Sequence, residues 1–302
     1  NYQIAKRKLK NAFVISGFNE VLTYSLVSDE DKTRIKISNP LLQETSCLRN
    51  NIWQEHIRIC NQNIKAGRES CWIFETGNIF VNSSTNNQIE ILSGAISGNN
   101  YDEKWESSGK SSELNYYQAR GKLRQVFSHL NVSVFDKPTD KYKYLHPGRT
   151  SLLIIEGKEA GYFGQINPKY IAEKKSLKNL FLFSIDIDKL LMAAIRTNKW
   201  TPIFKDYPIV PKIERDINFI FNKDYLVSDI IGNIKKSGKP ILEEVKLIDI
   251  YNDDNLDDKF VSYTFRLSYR DKEKTLVEND VVEINELIIK NIEKKFSAKQ
   301  KI

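Results

Sequence analysis

The residues best placed to do chemistry lie in YLHPGRTS, 144–151, which holds one of the three histidines of the chain. His146 offers a general base near neutral pH. Arg149 carries a planar guanidinium that can fork onto a phosphate or carboxylate, and Thr150 and Ser151 add two hydroxyls. The same residues have a structural reading: Pro147-Gly148 forms a turn, and His146 and Arg149 hydrogen-bond backbone groups beside it. The other histidines, His56 and His129, fall on helix faces far away in sequence, so no triad is nominated.

Other reactive patterns are missing. No two glycines are spaced GxG, which removes the dinucleotide fingerprint and the glycine-rich kinase loop. There is no GxxxxGK[ST], HExxH or GxSxG. Cys47, Cys60 and Cys71 form no CxxC pair, so the close-spaced ligands of a zinc site are absent. They read as small buried side chains, and their low, odd number suits a reducing compartment.

A second candidate is a sheet face. In VSYTFRLSYR, Tyr263, Phe265, Leu267 and Tyr269 alternate with Ser262, Thr264, Arg266, Ser268 and Arg270. With Asn218 from a nearby strand, the polar set forms a basic platform of the kind that binds single-stranded RNA. Tyr263 and Tyr269 turn to the core side, leaving Tyr251 as the ring available for stacking. A solvated face accounts for the same pattern.

These side chains need elements to hold them. A chain of 302 residues fits two domains. No apolar run reaches the roughly 18–20 residues of a membrane span. The start is basic and amphipathic and lacks the apolar segment of a signal peptide; opening on Asn rather than Met suggests a processed chain or a fragment. The net charge is +7, with 18 basic and 19 acidic residues after position 204, so the excess is in the first part. Such a surplus is compatible with a nucleic-acid partner, but its size is modest and a lysine-rich solvated face is the more common cause.

The spacing predicts a helix over 2–17 with Ile4, Leu9, Phe13 and Val14 on one face, then a strand over 21–27. Ile52, His56, Ile59, Cys60 and Ile64 mark a second helix. Strands follow at 71–80 and 89–98, then a turn-rich stretch at 99–115 and a helix at 116–130. Strands at 151–157 and 159–166 meet at a Gly157-Lys158 hairpin turn. A strand then leads into a short helix over 181–191. Three prolines between 198 and 211 mark a domain boundary. The remainder reads β-α-β-β-α, with the helix over 224–239 presenting Leu226, Ile230, Ile231 and Ile234. This is the ferredoxin-like order with one strand missing, which the tail SAKQKI supplies at most as a frayed strand.

Taken together, these segments resemble the C-terminal portion of the bacterial-type phenylalanine–tRNA ligase beta subunit. GFNEVLTYSLV is similar to the family's opening strand. ISNPLLQETSCLRNNI is similar to its Asn-Pro-Leu … Leu-Arg signature, retaining Asn39, Pro40, Leu41, Leu48 and Arg49. WIFETGNIF, YLHPGRTS, YFGQINP, YPIVPKIERDINFIF, VKLIDIY and SYTFRLSYRDKEKTL follow in the family's order.

The resemblance implies an α+β chain in two parts. Residues 1–200 would form a class II synthetase-like antiparallel sheet module, non-catalytic, that contacts the alpha subunit. Residues 205–302 would form a ferredoxin-fold anticodon-binding domain. It implies a tetramer of two alpha–beta pairs that joins phenylalanine to its tRNA with ATP and magnesium. This portion would bind neither cofactor and supply no catalytic residue or metal ligand. A working class II site holds ATP phosphates with arginines from a Phe-Arg-x-Glu strand and a Gly-x-Gly-x-x-x-Arg helix. Here Phe74-Glu75 lacks the intervening Arg, which shifts 144–151 toward its structural reading.

The RNA-facing residues implied are Arg266, Arg270, Thr264, Ser268 and Arg215. The helix start at 49–56 departs from the family's Arg-Thr-Ser-Leu-Leu-Pro-Gly-Leu, and the usual final Leu-Arg is absent, which puts the last strand in question. A stand-alone RNA-binding or regulatory protein on a degenerate synthetase fold is the alternative, and an enzyme using the His146 loop a third. Abundant Lys, Asn and Ile suggest an AT-rich genome, hence the plastid (chloroplast) stroma, with bacterial cytoplasm as the alternative. No membrane partner is expected.

Overall fold

A computed structural model describes the chain except residues 82–87, 100–111, 173–176, 178, 202, 203, 205, 253–256, 258, 272 and 302. Most of the expected turn-rich stretch at 99–115 lies outside the described residues. The chain divides into two compact units, Asn1–Ile203 and Phe204–Ile302.

The first unit runs α1 (Tyr2–Ile15), β1 (Asn19–Glu20), β2 (Leu26–Val27), β3 (Ile35–Lys36), β4 (Cys47–Leu48), α2 (Trp53–Lys65), β5 (Ser70–Phe80) and β6 (Gln88–Gly98). It continues with α3 (Tyr116–His129), β7 (Val134–Pro138), β8 (Leu145–Ile155), β9 (Lys158–Ile166), β10 (Leu180–Asp186), α4 (Ile187–Ala194) and the short α5 (Thr197–Trp200). Seven strands form one sheet in the order β1-β5-β6-β10-β9-β8-β7. Only β1 pairs in parallel, against β5.

Strand alternation sends two apolar sets to opposite faces of this sheet. Trp72, Phe74, Leu92, Ile96, Phe163, Phe181 and Phe183 pack with α1, α3 and α4. Ile73, Ala95, Leu180, Leu182 and Ile166 pack with Ile57 and Cys60 of α2. Both faces are therefore covered, which explains why β5, β6 and β10 carry apolar side chains at successive positions.

Several expectations change in detail. In α1, the small residues Ala5 and Ala12 turn inward with Leu9 and Phe13, while Ile4 and Val14 are exposed. Close approach of α1 to the sheet selects side-chain size over hydrophobicity. The strand expected over 21–27 is broken: residues 21–25 leave the sheet after β1, and only Leu26–Val27 pairs, with β4. The hairpin turn sits one residue earlier than expected, at Glu156 and Gly157, both at positive φ (51° and 79°), as a tight two-residue connection requires. In the helix Val227–Ser237, Ile230 and Ile234 are buried and Ile231 packs partly against the core as expected, while Leu226 is exposed at the cap.

A buried ion pair fastens the sheet to the segment before α2. Arg49 and Glu75 are 2% and 1% exposed in their side chains, with Arg49 Nη1 3.0 Å from Glu75 Oε1. Arg49 also donates to Thr23 Oγ1 at 2.6 Å and, through Nε, to the Asn78 carbonyl at 2.8 Å. Thr23 in turn donates to Glu75 Oε2 at 2.7 Å. His56 of α2 closes the cluster, its Nε2 lying 3.6 Å from Glu75 Oε2. Burial would raise the Glu75 carboxyl, but His56, Thr23 and Arg49 outweigh it and hold the group below its usual value. Burial lowers His56, which therefore stays neutral in the fold.

The second unit runs β11 (Ile213–Asn222), α6 (Val227–Ser237), β12 (Leu242–Tyr251), β13 (Phe260–Tyr269), α7 (Glu278–Phe296) and β14 (Lys299–Gln300). Its sheet order is β12-β13-β11-β14. The tail does supply the final strand, pairing Gln300 with Phe219 and Lys299 with Ile220. Ile217, Phe219, Phe221, Phe265, Leu267 and Tyr269 meet Ile230 and Ile234 of α6 and Ile288 and Ile292 of α7 in one core. Both helices cover that face and leave the other open.

Removing one partner of the buried pair leaves a charge without compensation, so Glu75→Gln should cost about 3–5 kcal/mol in urea denaturation. The double variant Arg49→Met/Glu75→Leu should cost less than the two single losses added. For His56 the folded group binds its proton less readily than the unfolded one, whose usual value is 6.5. Its contribution is present above that value and is lost as pH falls below it. His56→Gln should flatten stability between pH 7 and 5, read as the urea midpoint against pH; an unchanged slope would contradict this.

Candidate nucleic-acid interface

The open face of the second unit is built from register. Across β12, β13 and β11, Lys246 stands beside Arg266 and Arg266 beside Asp216. One row on, Glu244, Ser268 and Glu214 align, and in the other direction Asp249, Thr264 and Asn218. A further row aligns Tyr251, Ser262, Ile220 and Lys299 across all four strands. Phe260, opposite Asn222, belongs to the same face.

Charge on this face is largely neutralised. Arg266 makes a bidentate pair with Asp216, Nε to Oδ1 at 2.9 Å and Nη2 to Oδ2 at 2.8 Å. That pairing lowers the Asp216 carboxyl and raises the Arg266 guanidinium, so both remain charged. Thr264 Oγ1 accepts from Asn218 Nδ2 at 2.9 Å, and Ser268 Oγ donates to Glu214 Oε1 at 3.3 Å. Ser268 is buried between its neighbours.

The remaining two expected residues are placed elsewhere. Arg270 follows the end of β13, with Nε 3.1 Å from Glu243 Oε2 but outside hydrogen-bond geometry. It lines a cleft of ≈ 520 Å³ with Pro208, Pro240, Glu243, Asp271 and Glu273, a largely acidic setting. Arg215 aligns with Leu267, a core residue, so it stands on the helix-bearing side of the sheet and pairs with Glu278 at the start of α7. The platform expected from sequence is thus corrected: Thr264, Arg266, Ser268 and Asn218 share it, Arg270 lies past its end, and Arg215, also expected to face RNA, stands on the other side of the sheet.

The face is polarised along its strands. One end carries Glu214, Glu244 and Asp216. The other carries Tyr251, Phe260, Lys299 and Lys301, with the two rings 52% and 39% exposed. Lys301 Nζ lies 5.3 Å from the Tyr251 ring centroid, a cation–π distance. Sequence reasoning named Tyr251 but missed Phe260, because the strand was taken to begin one residue later. It missed the lysines because the last strand was in question.

The stretch 144–151 is not a free turn. It lies within β8 as a bulge: Leu145 pairs with Ile166 and Thr150 with Gly164, so β8 carries three extra residues. His146 Nδ1 accepts from the Gly148 N–H at 3.1 Å, and Thr150 Oγ1 donates to the His146 carbonyl at 2.7 Å. Arg149 donates to Gln165 Oε1 at 2.8 Å. Each polar group is used to hold the bulge, and His146 meets neither a nucleophile nor a carboxylate within hydrogen-bond distance among the described residues.

Strand β5, where the family resemblance would place a nucleotide-binding arginine, is filled from within. A Cβ on Gly77 would lie 2.4 Å from Arg49 Nη2 and 2.8 Å from Glu75 Oε1. The residues present do not fit ATP or its magnesium ion at this strand.

Residues 1–187 match the "Phenylalanyl tRNA synthetase beta chain CLM domain" and residues 208–301 the "Ferredoxin-fold anticodon binding domain". The chain is 61% identical over 297 residues to a phenylalanine–tRNA ligase beta subunit of Prochlorococcus marinus (strain MIT 9312), covering 98% of this chain and 36% of that protein. It is 41% identical to the Synechococcus sp. (strain CC9902) beta subunit, covering 98% and 37%. It therefore spans little more than a third of the length of these relatives. Among solved structures, a pyrrolysyl tRNA synthetase of Desulfitobacterium hafniense overlays with a TM-score of 0.46 at 13% identity, covering 63% of this chain and 65% of that one. Both domain matches, in order, and this identity over nearly the whole chain place it: the chain belongs to the phenylalanine–tRNA ligase beta subunit family.

Proposed function

We propose that this chain is the C-terminal portion of a ligase beta subunit that makes no bonds itself. Residues 1–200 pack on a catalytic alpha subunit, and residues 205–302 hold the anticodon region of phenylalanine tRNA. The observation that carries the reading is the open sheet face, with Tyr251 and Phe260 at one end, in a domain that matches an anticodon-binding family. Leu22, Tyr24, Leu41 and Leu42 are each largely exposed and offer apolar side chains to a protein partner of the first unit. The holoenzyme, of two alpha–beta pairs, would use ATP and magnesium on the alpha subunit to join phenylalanine to tRNA. The stand-alone regulatory alternative is not favoured, because the relatives are ligase subunits.

The geometry re-ranks the RNA-binding residues. Tyr251 and Phe260 offer stacking faces for unpaired bases, with Lys299 and Lys301 beside them for phosphates. Arg266, flanked by Thr264 and Ser268, reaches a phosphate only by leaving Asp216. Arg270 and Arg215 sit apart. The relatives' cyanobacterial sources support a plastid stroma or a bacterial cytoplasm, and no helix among the described residues is long and apolar enough to cross a membrane.

The test uses the complete beta subunit purified with its alpha subunit. Tyr251→Ala should weaken tRNA binding by about 1–3 kcal/mol, the usual worth of a stacked base; an unchanged Kd would remove this face from the reading. Asp216→Asn should free Arg266, tighten binding and steepen the salt dependence by about one unit, while Arg266→Ala flattens it. His146→Ala should leave aminoacylation intact and shift only thermal stability. Loss of turnover with the tetramer still assembled would restore a chemical role to the bulge.

A further inference from the structure

Neither the RNA-binding reading nor the buried ion pair uses the cysteines. All three are free and buried. Cys47 lies on β4, with its Sγ 3.9 Å from the Ser46 hydroxyl. The other two belong to neighbouring elements, Cys60 to α2 and Cys71 to β5.

The path of the chain brings these two together. α2 ends at Lys65, the exposed residues 66–69 turn the chain, and β5 starts at Ser70. Alternation along β5 sends Cys71 and Ile73 to the face that α2 covers, and Trp72 and Phe74 to the other. Cys60 follows His56 by about one helical turn, on the same side of α2. His56 Nε2 lies 3.6 Å from Glu75 Oε2, and Cys60 Sγ lies 3.8 Å from the Cys71 carbonyl oxygen. Helix and strand are thus matched at two points in antiparallel order. The first is the charged cluster, and the second is a pair of thiols.

The thiols act on one another. Contact with Cys71 pushes the Cys60 thiol well above its ordinary value, and burial adds to this. Contact with Cys60 holds the Cys71 thiol below its ordinary value, against the burial that would raise it. Cys71 is therefore the more available thiolate. It is also the one that solvent touches, 6% exposed against 0% for Cys60. A thiolate with access to solvent beside a second, resolving thiol is the arrangement that responds to peroxide.

We infer that Cys60 and Cys71 form a peroxide-sensitive dithiol whose oxidation staples α2 to β5. The Cys71 thiolate attacks one oxygen of hydrogen peroxide, breaks the O–O bond and releases hydroxide, which leaves a sulfenic acid. The Cys60 sulfur then attacks the Cys71 sulfur, gives up its proton and expels the oxygen as water. Two thiols lose two electrons and two protons, and one peroxide becomes two waters. A dithiol reductant reverses the bond. The disulfide closes a short loop around the turn at 66–69 and makes the second attachment of α2 covalent. Trp53 of the same helix stacks on Tyr144 at 4.5 Å between centroids, so the staple also steadies that contact.

The experiment treats the complete beta subunit, assembled with its alpha subunit, with hydrogen peroxide. The protein is then denatured in a thiol-alkylating reagent and digested with trypsin, which cuts between the two cysteines at Lys65 and Arg68. The peptides bearing Cys60 and Cys71 should be recovered joined, with the Cys47 peptide alkylated, and dithiothreitol should return all three to the alkylated form. The oxidised protein should show a higher urea midpoint than the reduced one, because the bond restricts the unfolded chain. In Cys60→Ala, Cys71 should stop at the sulfenic acid and be trapped by dimedone. In Cys71→Ala, Cys60 should stay alkylatable. Recovery of Cys60 and Cys71 both alkylated after peroxide overturns the inference, and this result is read on the wild type without any variant having to fold. A joined peptide that appears only when peroxide is added after denaturation overturns it as well.

Discussion

The first unit depends on one buried charge pair. Glu75 sits buried on β5, one strand in from the edge of the seven-stranded sheet and cross-strand from Ser93, where a carboxylate is tolerable only with strong hydrogen-bond partners. Arg49 and Thr23 donate to it, with the His56 ring beside them, and each comes from a different segment of the chain. The pair therefore does more than stabilise. It fixes where the chain leaves the sheet after β1, where it re-enters at β5, and which side of α2 faces inward. It also fills the sheet face beside Gly77.

The second unit solves a different problem with the same components. Its two helices cover one face of a four-stranded sheet, and the uncovered face has to remain soluble. Cross-strand pairing of Arg266 with Asp216 and of Asn218 with Thr264 achieves this. The same pairing removes the simplest electrostatic attraction for RNA from the middle of the face. The two exposed rings lie at one end, where Tyr251 and Phe260 stand with Lys299 of the last strand and Lys301 after it.

The fold was largely legible because its signals are local. Period-two alternation in 213–221 and 261–270, helical spacing in 278–296, and the prolines between 198 and 211 are all read within short windows. The family motifs were legible for the same reason, including Arg49 and Phe74-Glu75. Their meaning was not. Nothing in a linear reading says that Arg49 reaches Glu75 across 26 positions, or that His56 completes the cluster. A buried pair of opposite charges leaves no periodic trace, since each member looks like any other charged residue.

The sequence by itself determined the two units, the α+β class, the family and the absence of a recognisable catalytic motif, because these follow from composition, periodicity and short ordered motifs. Tertiary structure alone decided which polar residues meet. Register placed Arg215 behind the sheet and Phe260 on its open face. Side-chain pairing cancelled Arg266. The stretch 144–151 became a hydrogen-bonded bulge rather than an active site. The physical reason is common to all of these: whether a charged or polar group is available to a ligand depends on what lies within about 3 Å of it, and those neighbours come from distant parts of the chain.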